Sequence, residues 1–190
     1  MLPPPILILT GPSGAGKSSI LDLLVKQKPF PFRKFVTSTS RAKRPGERHG
    51  KDYWFMTEKE FVTREAQGNF FESATVYGNH YGSLRETMEG LLTKRLPILI
   101  TLDVQGMKTV KRLYANAYVV FIDAPQASLV HRLEKRSTDP KELKKRNQKL
   151  AAEEKAQQFA DIIIENKDGK LEETYRKIVK ALEDRIRTKN

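Results

Sequence analysis

Short apolar runs punctuate the chain at intervals that suit buried strands separated by helices. Ile6-Leu7-Ile8-Leu9-Thr10 is an uninterrupted β-prone run, the pattern of a strand covered on both faces. A glycine-rich turn follows, and then Lys17 to about Lys26 carries Ile20, Leu21, Leu23 and Leu24 at helical spacing. Three further runs look similar to the first: Pro97 to Val104, Tyr118 to Asp123 and Asp161 to Ile164. Helical patterns lie between and after them at 105–114, 127–136, 140–159 and 171–187. This alternation predicts an α/β fold, a three-layer core in which helices cover both faces of a mostly parallel sheet.

Residues 35 to 82 break the rhythm. They read as short strands (Phe35 to Thr39, Lys51 to Phe55, Phe70 to Val76) around one helix that begins with the capping-box sequence Thr57-Glu58-Lys59-Glu60. A small mixed lobe inserted into the core is the simplest account. A second capping box, Ser83-Leu84-Arg85-Glu86, predicts a return to helix. Ser137-Thr138-Asp139-Pro140-Lys141 interrupts two basic helical patterns and reads as the turn of a flap. The predicted organisation is one domain over 1–190. It has a core of 1–34, 83–131 and 150–190, a lobe at 35–82 and a helical lid at 132–149.

Length and composition narrow the function. A chain of 190 residues holds one globular unit, with 38% hydrophobic and 31% charged residues, enough to bury a core. No apolar run approaches the roughly 20 residues of a membrane span. Met1-Leu2-Pro3-Pro4-Pro5 lacks the basic head and apolar stretch of a signal peptide, so a cytoplasmic location is expected. With no cysteine, and with His49, His80 and His131 scattered, thiolate metal sites and cysteine nucleophiles are excluded. The formal charge is +12, and it is localised. Residues 33–51 carry seven basic side chains against one acidic, and residues 132–149 carry eight against three. Two solvated charge runs would explain this, and so would two phosphate-binding segments.

Gly11-Pro12-Ser13-Gly14-Ala15-Gly16-Lys17-Ser18 fits the pattern G-x-x-x-x-G-K-[ST] and sits between the first strand and first helix, as a phosphate-binding loop requires. Glycines let backbone N–H groups curl around an anion, and the positive end of the following helix adds field at the same point. Lys17 is suited to bridge β- and γ-phosphate oxygens, and Ser18 to offer a hydroxyl to Mg²⁺. Nucleoside triphosphate binding follows, but such a loop does not name the acceptor.

Thr37-Ser38-Thr39-Ser40-Arg41-Ala42-Lys43-Arg44-Pro45-Gly46-Glu47, followed by Gly50-Lys51-Asp52-Tyr53, resembles the nucleotide-monophosphate lobe of guanylate kinases. Phe71-Glu72, Gly78-Asn79-His80-Tyr81-Gly82-Ser83 and Leu102-Asp103-Val104-Gln105-Gly106 match later motifs of that family in order and separation. The resemblance spans nearly the whole chain. It implies phosphoryl transfer from ATP to GMP, and by extension dGMP, with Mg²⁺ as cofactor. The sequence departs from the family pattern at Lys43, where a proline is usual, and at Thr101, where an acid often stands. It departs again at Ser137, where a glycine is common, and at Lys167, where an Asp is common.

The chemistry of the residues agrees with the resemblance. Guanine presents donors at N1–H and N2–H₂ beside the O6 acceptor, so its reader needs a carboxylate next to hydroxyl donors. Glu72 with Ser83 and Thr37 supplies that set, whereas adenine would leave the carboxylate facing a lone pair. Arg41 and Arg44, with the hydroxyls of Tyr53 and Tyr81, suit the GMP phosphate. Taken singly, Glu72 reads as an exposed strand carboxylate and the tyrosines as core or rim aromatics. Asp103, at the end of an apolar strand, is placed at the junction of GMP and the metal.

The family resemblance further assigns Arg136 and Arg146 to the lid over the transferring group, and Asn166 to the adenine. Together with Ser19 beside the loop, these complete the expected ATP site. Arg132 is an alternative anchor for the lid hinge, and Asn166 also reads as a polar strand-end residue. The expected partners are ATP and GMP, with neither nucleic acid nor membrane, in a monomer or small homo-oligomer. Three alternatives stand beside this reading: a catalytically inactive binding module, a kinase of another phosphorylated acceptor, and a nucleic-acid binder suggested only by the pI near 9.8.

Overall fold

The computed structural model of the chain describes residues 5–76, 78–134 and 155–189. Its core is a five-stranded sheet in the order β2-β7-β1-β8-β9. These strands are Arg33–Lys34 (β2), Ile98–Thr101 (β7), Ile6–Thr10 (β1), Tyr118–Asp123 (β8) and Ile162–Glu165 (β9). All neighbours are parallel. The side chains of β1 alternate between faces, and each face meets its own layer of helices. Leu7 and Leu9 join Ile20, Leu21 and Leu24 of α1 (Lys17–Gln27), Leu129 of α5 (Gln126–Glu134) and Ile178 of α6 (Leu171–Lys189). Ile6 and Ile8 join Met88 of α3 (Arg85–Thr93) with Met107 and Val110 of α4 (Val104–Leu113). Each such fully buried aliphatic side chain stabilises by about 1.5–3 kcal/mol, so this double-sided strand is where the fold is most strongly specified.

A second sheet, in the order β4-β3-β6-β5, occupies the stretch where the rhythm breaks. It comprises Trp54–Phe55 (β4), Ser38–Thr39 (β3), Asn79–Leu84 (β6) and Phe70–Val76 (β5). β5 and β6 run antiparallel, as do β3 and β6, while β3 and β4 are parallel. Helix α2 (Glu58–Ala66) buries Phe61 against Phe70, their rings stacked at 4.5 Å between centroids. The expected capping box forms, with the Glu60 N–H donating to Thr57 Oγ1 at 3.2 Å and the Thr57 N–H to Glu60 Oε2 at 2.7 Å.

Several predicted elements are corrected. Phe35 to Thr39 is not one strand: Arg33–Lys34 joins the core sheet and Ser38–Thr39 joins the second. Between them the Phe35 N–H donates to Leu99 O, and its ring enters the core. The strand predicted to Val104 stops at Thr101, because Asp103 caps α4 by accepting from the Gly106 N–H at 2.8 Å. Ser83 caps no helix. It lies on β6 opposite Glu72, and Leu84 stands at the start of α3 with no side-chain cap. A buried carboxylate is a stronger attractor for its hydroxyl than a helix N–H. Of the helix expected over 140–159, Lys155–Phe159 is a 3₁₀ turn and 140–154 lies outside the described residues. Among the described residues no helix is long and apolar enough to cross a membrane.

Candidate active site

β1 sits at the winding switch of the core sheet, since the chain passes from it to β2 on one side and later crosses from β7 to β8 on the other. Crevices open at the carboxyl ends of strands at such points. Here the crevice holds the glycine loop. Gly11, Gly14 and Gly16 have φ of 135°, 93° and 96°. A Cβ on Gly11 would run into the backbone carbonyl of Ile122, and one on Gly16 into the side-chain amide of Asn166. Helix α1 begins at Lys17 with no side-chain cap and no acidic residue in its first turn, which leaves its N–H groups for an anion. Lys17 Nζ donates to Gly11 O at 2.7 Å and Pro12 O at 2.8 Å, so its ammonium stands over the loop. Ser13 and Ser18 line the cleft, while Ala15 turns its methyl into the core.

The loop is held from behind by Asn166 and Arg132. Asn166, buried after β9, donates from Nδ2 to Ala15 O at 2.8 Å and accepts from Thr174 Oγ1 at 3.0 Å. Arg132 donates to Gly14 O at 3.1 Å and to Asn166 O at 3.0 Å, and forks onto Asp168 Oδ1 at 2.9 and 2.6 Å. Hydrogen bonds from Ser128 and Arg132 hold the Asp168 carboxyl below the usual carboxylate range. Asn166 therefore meets the glycine loop through the loop's backbone. Thr174, Ser128 and Asp168 were not foreseen, because polar residues at a helix start and on exposed turns carry no distinctive pattern.

The opposite wall comes from the second sheet. Glu72 on β5 is 8% exposed, and Ser83 Oγ donates to its Oε1 at 2.5 Å. Burial pushes the Glu72 carboxyl up to about 7; the Ser83 hydroxyl opposes that shift and the neighbouring Asp103 charge adds to it. Thr37, Arg44, Tyr53, Tyr81 and Asp103 line the cleft with Glu72. Tyr53 and Tyr81 meet edge to face at 6.0 Å. Burial, then the Tyr81 neighbour, push the Tyr53 phenol up to about 12, so it remains a protonated donor. Arg41 is engaged elsewhere, forked onto Glu47 at 2.8 and 3.0 Å with its guanidinium 5.4 Å from the Tyr53 ring centroid. Burial works against the Arg41 charge, but the Glu47 hydrogen bond holds its pKa above the ordinary arginine value. Thr101 lines the cleft with a buried hydroxyl that has no partner among the described residues. Arg136 and Arg146 lie outside the described residues.

Ser18 and Asp103 open onto the same cleft, and no group of three metal-ligating side chains occurs among the described residues. One hydroxyl and one carboxylate fit a hard cation that takes its other oxygens from phosphates and water.

A strand, a glycine loop and a helix, facing a second sheet that carries a buried carboxylate, define a P-loop nucleotide-binding protein. The guanylate kinase family model matches residues 4–185. The chain is 39% identical over 165 residues to a guanylate kinase of Shewanella oneidensis, spanning 86% of this chain and 80% of that protein. Over 166 residues it is 37% identical to one from Salmonella paratyphi A, with the same shares covered. The crystal structure of guanylate kinase from Anaplasma phagocytophilum superposes with a TM-score of 0.73 at 27% identity, covering 97% of this chain and 87% of that one. The chain belongs to the guanylate kinase family and is a nucleoside monophosphate kinase.

Proposed function

We propose that the chain transfers the γ-phosphoryl group of Mg²⁺-bound ATP directly to the phosphate of GMP, and of dGMP, forming ADP and GDP or dGDP. The observation that carries this reading is the Glu72 carboxylate, buried beside a bound hydroxyl in the cleft that also holds the phosphate loop. Its ionised form accepts from guanine N1–H and N2–H₂, an arrangement that adenine's N1 lone pair repels. Thr37 contributes a hydroxyl at the base, and Ser83 steadies the carboxylate from behind. Arg44, Tyr53 and Tyr81 address the acceptor phosphate, with Arg41 braced on Glu47 beside them.

On the donor side the loop Gly11–Ser18 and Ser19 cradle the triphosphate, with Asn166 holding the loop through Ala15. Mg²⁺ would be held by Ser18, with Asp103 acting through water, and would supply charge neutralisation to the triphosphate. Lys17 and Arg44 then stabilise charge on the transferring group from the two walls. Arg136 and Arg146, assigned by family resemblance, complete that charge from the segment 132–149, which acts as a lid around the core and the 35–82 lobe. Exclusion of water keeps transfer ahead of hydrolysis.

Coupled measurement of ADP release with Mg²⁺, ATP and GMP, beside dGMP, AMP and IMP, tests the reading. GMP is expected to be the preferred base over AMP and IMP. No turnover above an ATP-only control, or preference for a base without the guanine edge, would refute it.

A further inference from the structure

Gly106 stands in the first turn of α4, buried and in ordinary helical conformation, with no positive φ to require a glycine. A glycine inside a helix costs about 1 kcal/mol relative to alanine, so local propensity argues against this residue. The space around it argues for it. A Cβ at Gly106 would lie 2.7 Å from Glu72 Oε2, 3.2 Å from Glu72 Cδ and 3.2 Å from Leu102 Cδ2. Gly90 in α3 is the contrasting case: it too is helical, and a Cβ there would meet nothing within 4 Å.

The backbone at Gly106 cannot swing aside cheaply, because its N–H is bound by the Asp103 cap at 2.8 Å. Glu72 Oε1 is bound by Ser83 on the other side. The carboxylate therefore lies between a hydroxyl and a helix position that has no room for a methyl, and its open side is the cleft.

We infer that Gly106 determines acceptor specificity: its missing side chain forms the seat that fixes the Glu72 carboxylate at the depth where a purine edge bearing two donors can reach it. This inference rests on the reading of Glu72 as the group that pairs with guanine. Gly106 touches no substrate itself and acts as a positioning residue.

The test compares initial rates of the wild type, Gly106→Ala and Gly90→Ala with GMP and with IMP, which lacks the 2-amino donor, at saturating Mg²⁺–ATP. Gly106→Ala is expected to lower the ratio of kcat/KM for GMP over IMP by about tenfold or more, mainly through KM for GMP, and to leave KM for ATP unchanged. Gly90→Ala is expected to change none of these. An unchanged GMP-to-IMP ratio in Gly106→Ala would overturn the inference. Should Gly106→Ala fold poorly, the double variant with Glu72→Asp decides: the shorter acid withdraws from the methyl, so Glu72→Asp is expected to do less harm to melting temperature and GMP use in the alanine background. Additive effects would also overturn the inference. If instead Glu72→Gln keeps the wild-type preference for GMP over IMP, the underlying reading of Glu72 fails, whatever Gly106→Ala does.

Discussion

The two walls of the cleft are made of different materials. The donor wall is backbone: N–H groups at the start of α1 and a loop whose shape is enforced by glycines that tolerate no Cβ. The acceptor wall is side chains from separate elements, held by one another through Ser83 on Glu72, Glu47 on Arg41 and Tyr81 against Tyr53. A backbone cradle binds any phosphate chain of the right size, since every peptide offers the same N–H. A side-chain wall can read a particular base, because it is costly to leave its buried groups unpaired. In the proposed reaction, generality sits on one side and identity on the other.

The largest test of this division is Lys17→Ala. Loss of the cation over the loop is expected to cut kcat by about a thousandfold or more while the Kd for GMP stays within about threefold of wild type. An equal loss of GMP affinity, measured by calorimetry, would show that the walls are not independent. Next comes Glu72→Gln, expected to reduce kcat/KM for GMP by about a hundredfold with KM for ATP unaltered. A parallel loss of ATP affinity would break the comparison from the other side.

Proton linkage sharpens it further. Burial pushes the Glu72 carboxyl up to about 7, and in the proposed pairing guanine's donors need its charged form. Below that pH, binding must expel a proton; above it, nothing is released. KM for GMP is expected to rise about tenfold between pH 8 and pH 6, and Glu72→Gln should lose that dependence. A wild-type profile that Glu72→Gln reproduces would assign the titration to the nucleotide phosphate instead. The smallest effect belongs to Thr174→Val, which leaves Asn166 Oδ1 buried without its donor, at a cost of about 1–3 kcal/mol. A lower melting temperature and a KM for ATP raised by about threefold are expected, with the GMP-to-IMP ratio unmoved.

The same contrast explains what could be read from the sequence. The loop is eight contiguous residues between a strand and a helix, so its pattern survives in one dimension. β1, α1, β8 and β5 were legible for the same reason, each being a run whose period declares its burial. The acceptor wall collects Thr37, Tyr53, Glu72, Tyr81 and Asp103 from across 67 positions, and only family resemblance joined them in advance. β6 was missed because Gly78-Asn79-His80-Tyr81-Gly82 carries turn residues; its pairing is set by β5 and β3 on either side. Asn166 was visible as a residue, but its direction was not. The space that Gly16 leaves and the Ala15 carbonyl draw the amide beneath the loop, and both are set by tertiary approach.

The Arg33 N–H donates to Pro97 O at 2.7 Å and the Phe35 N–H to Leu99 O at 2.8 Å. The chain therefore departs from the parallel sheet and rejoins it on adjoining strands, having traversed the whole second sheet in between. An excursion whose ends are neighbours adds little strain to its host, whatever its length or content. The second sheet is in this way inserted without parting the strands of the core, and it meets that frame again where α4 brings Gly106 against Glu72.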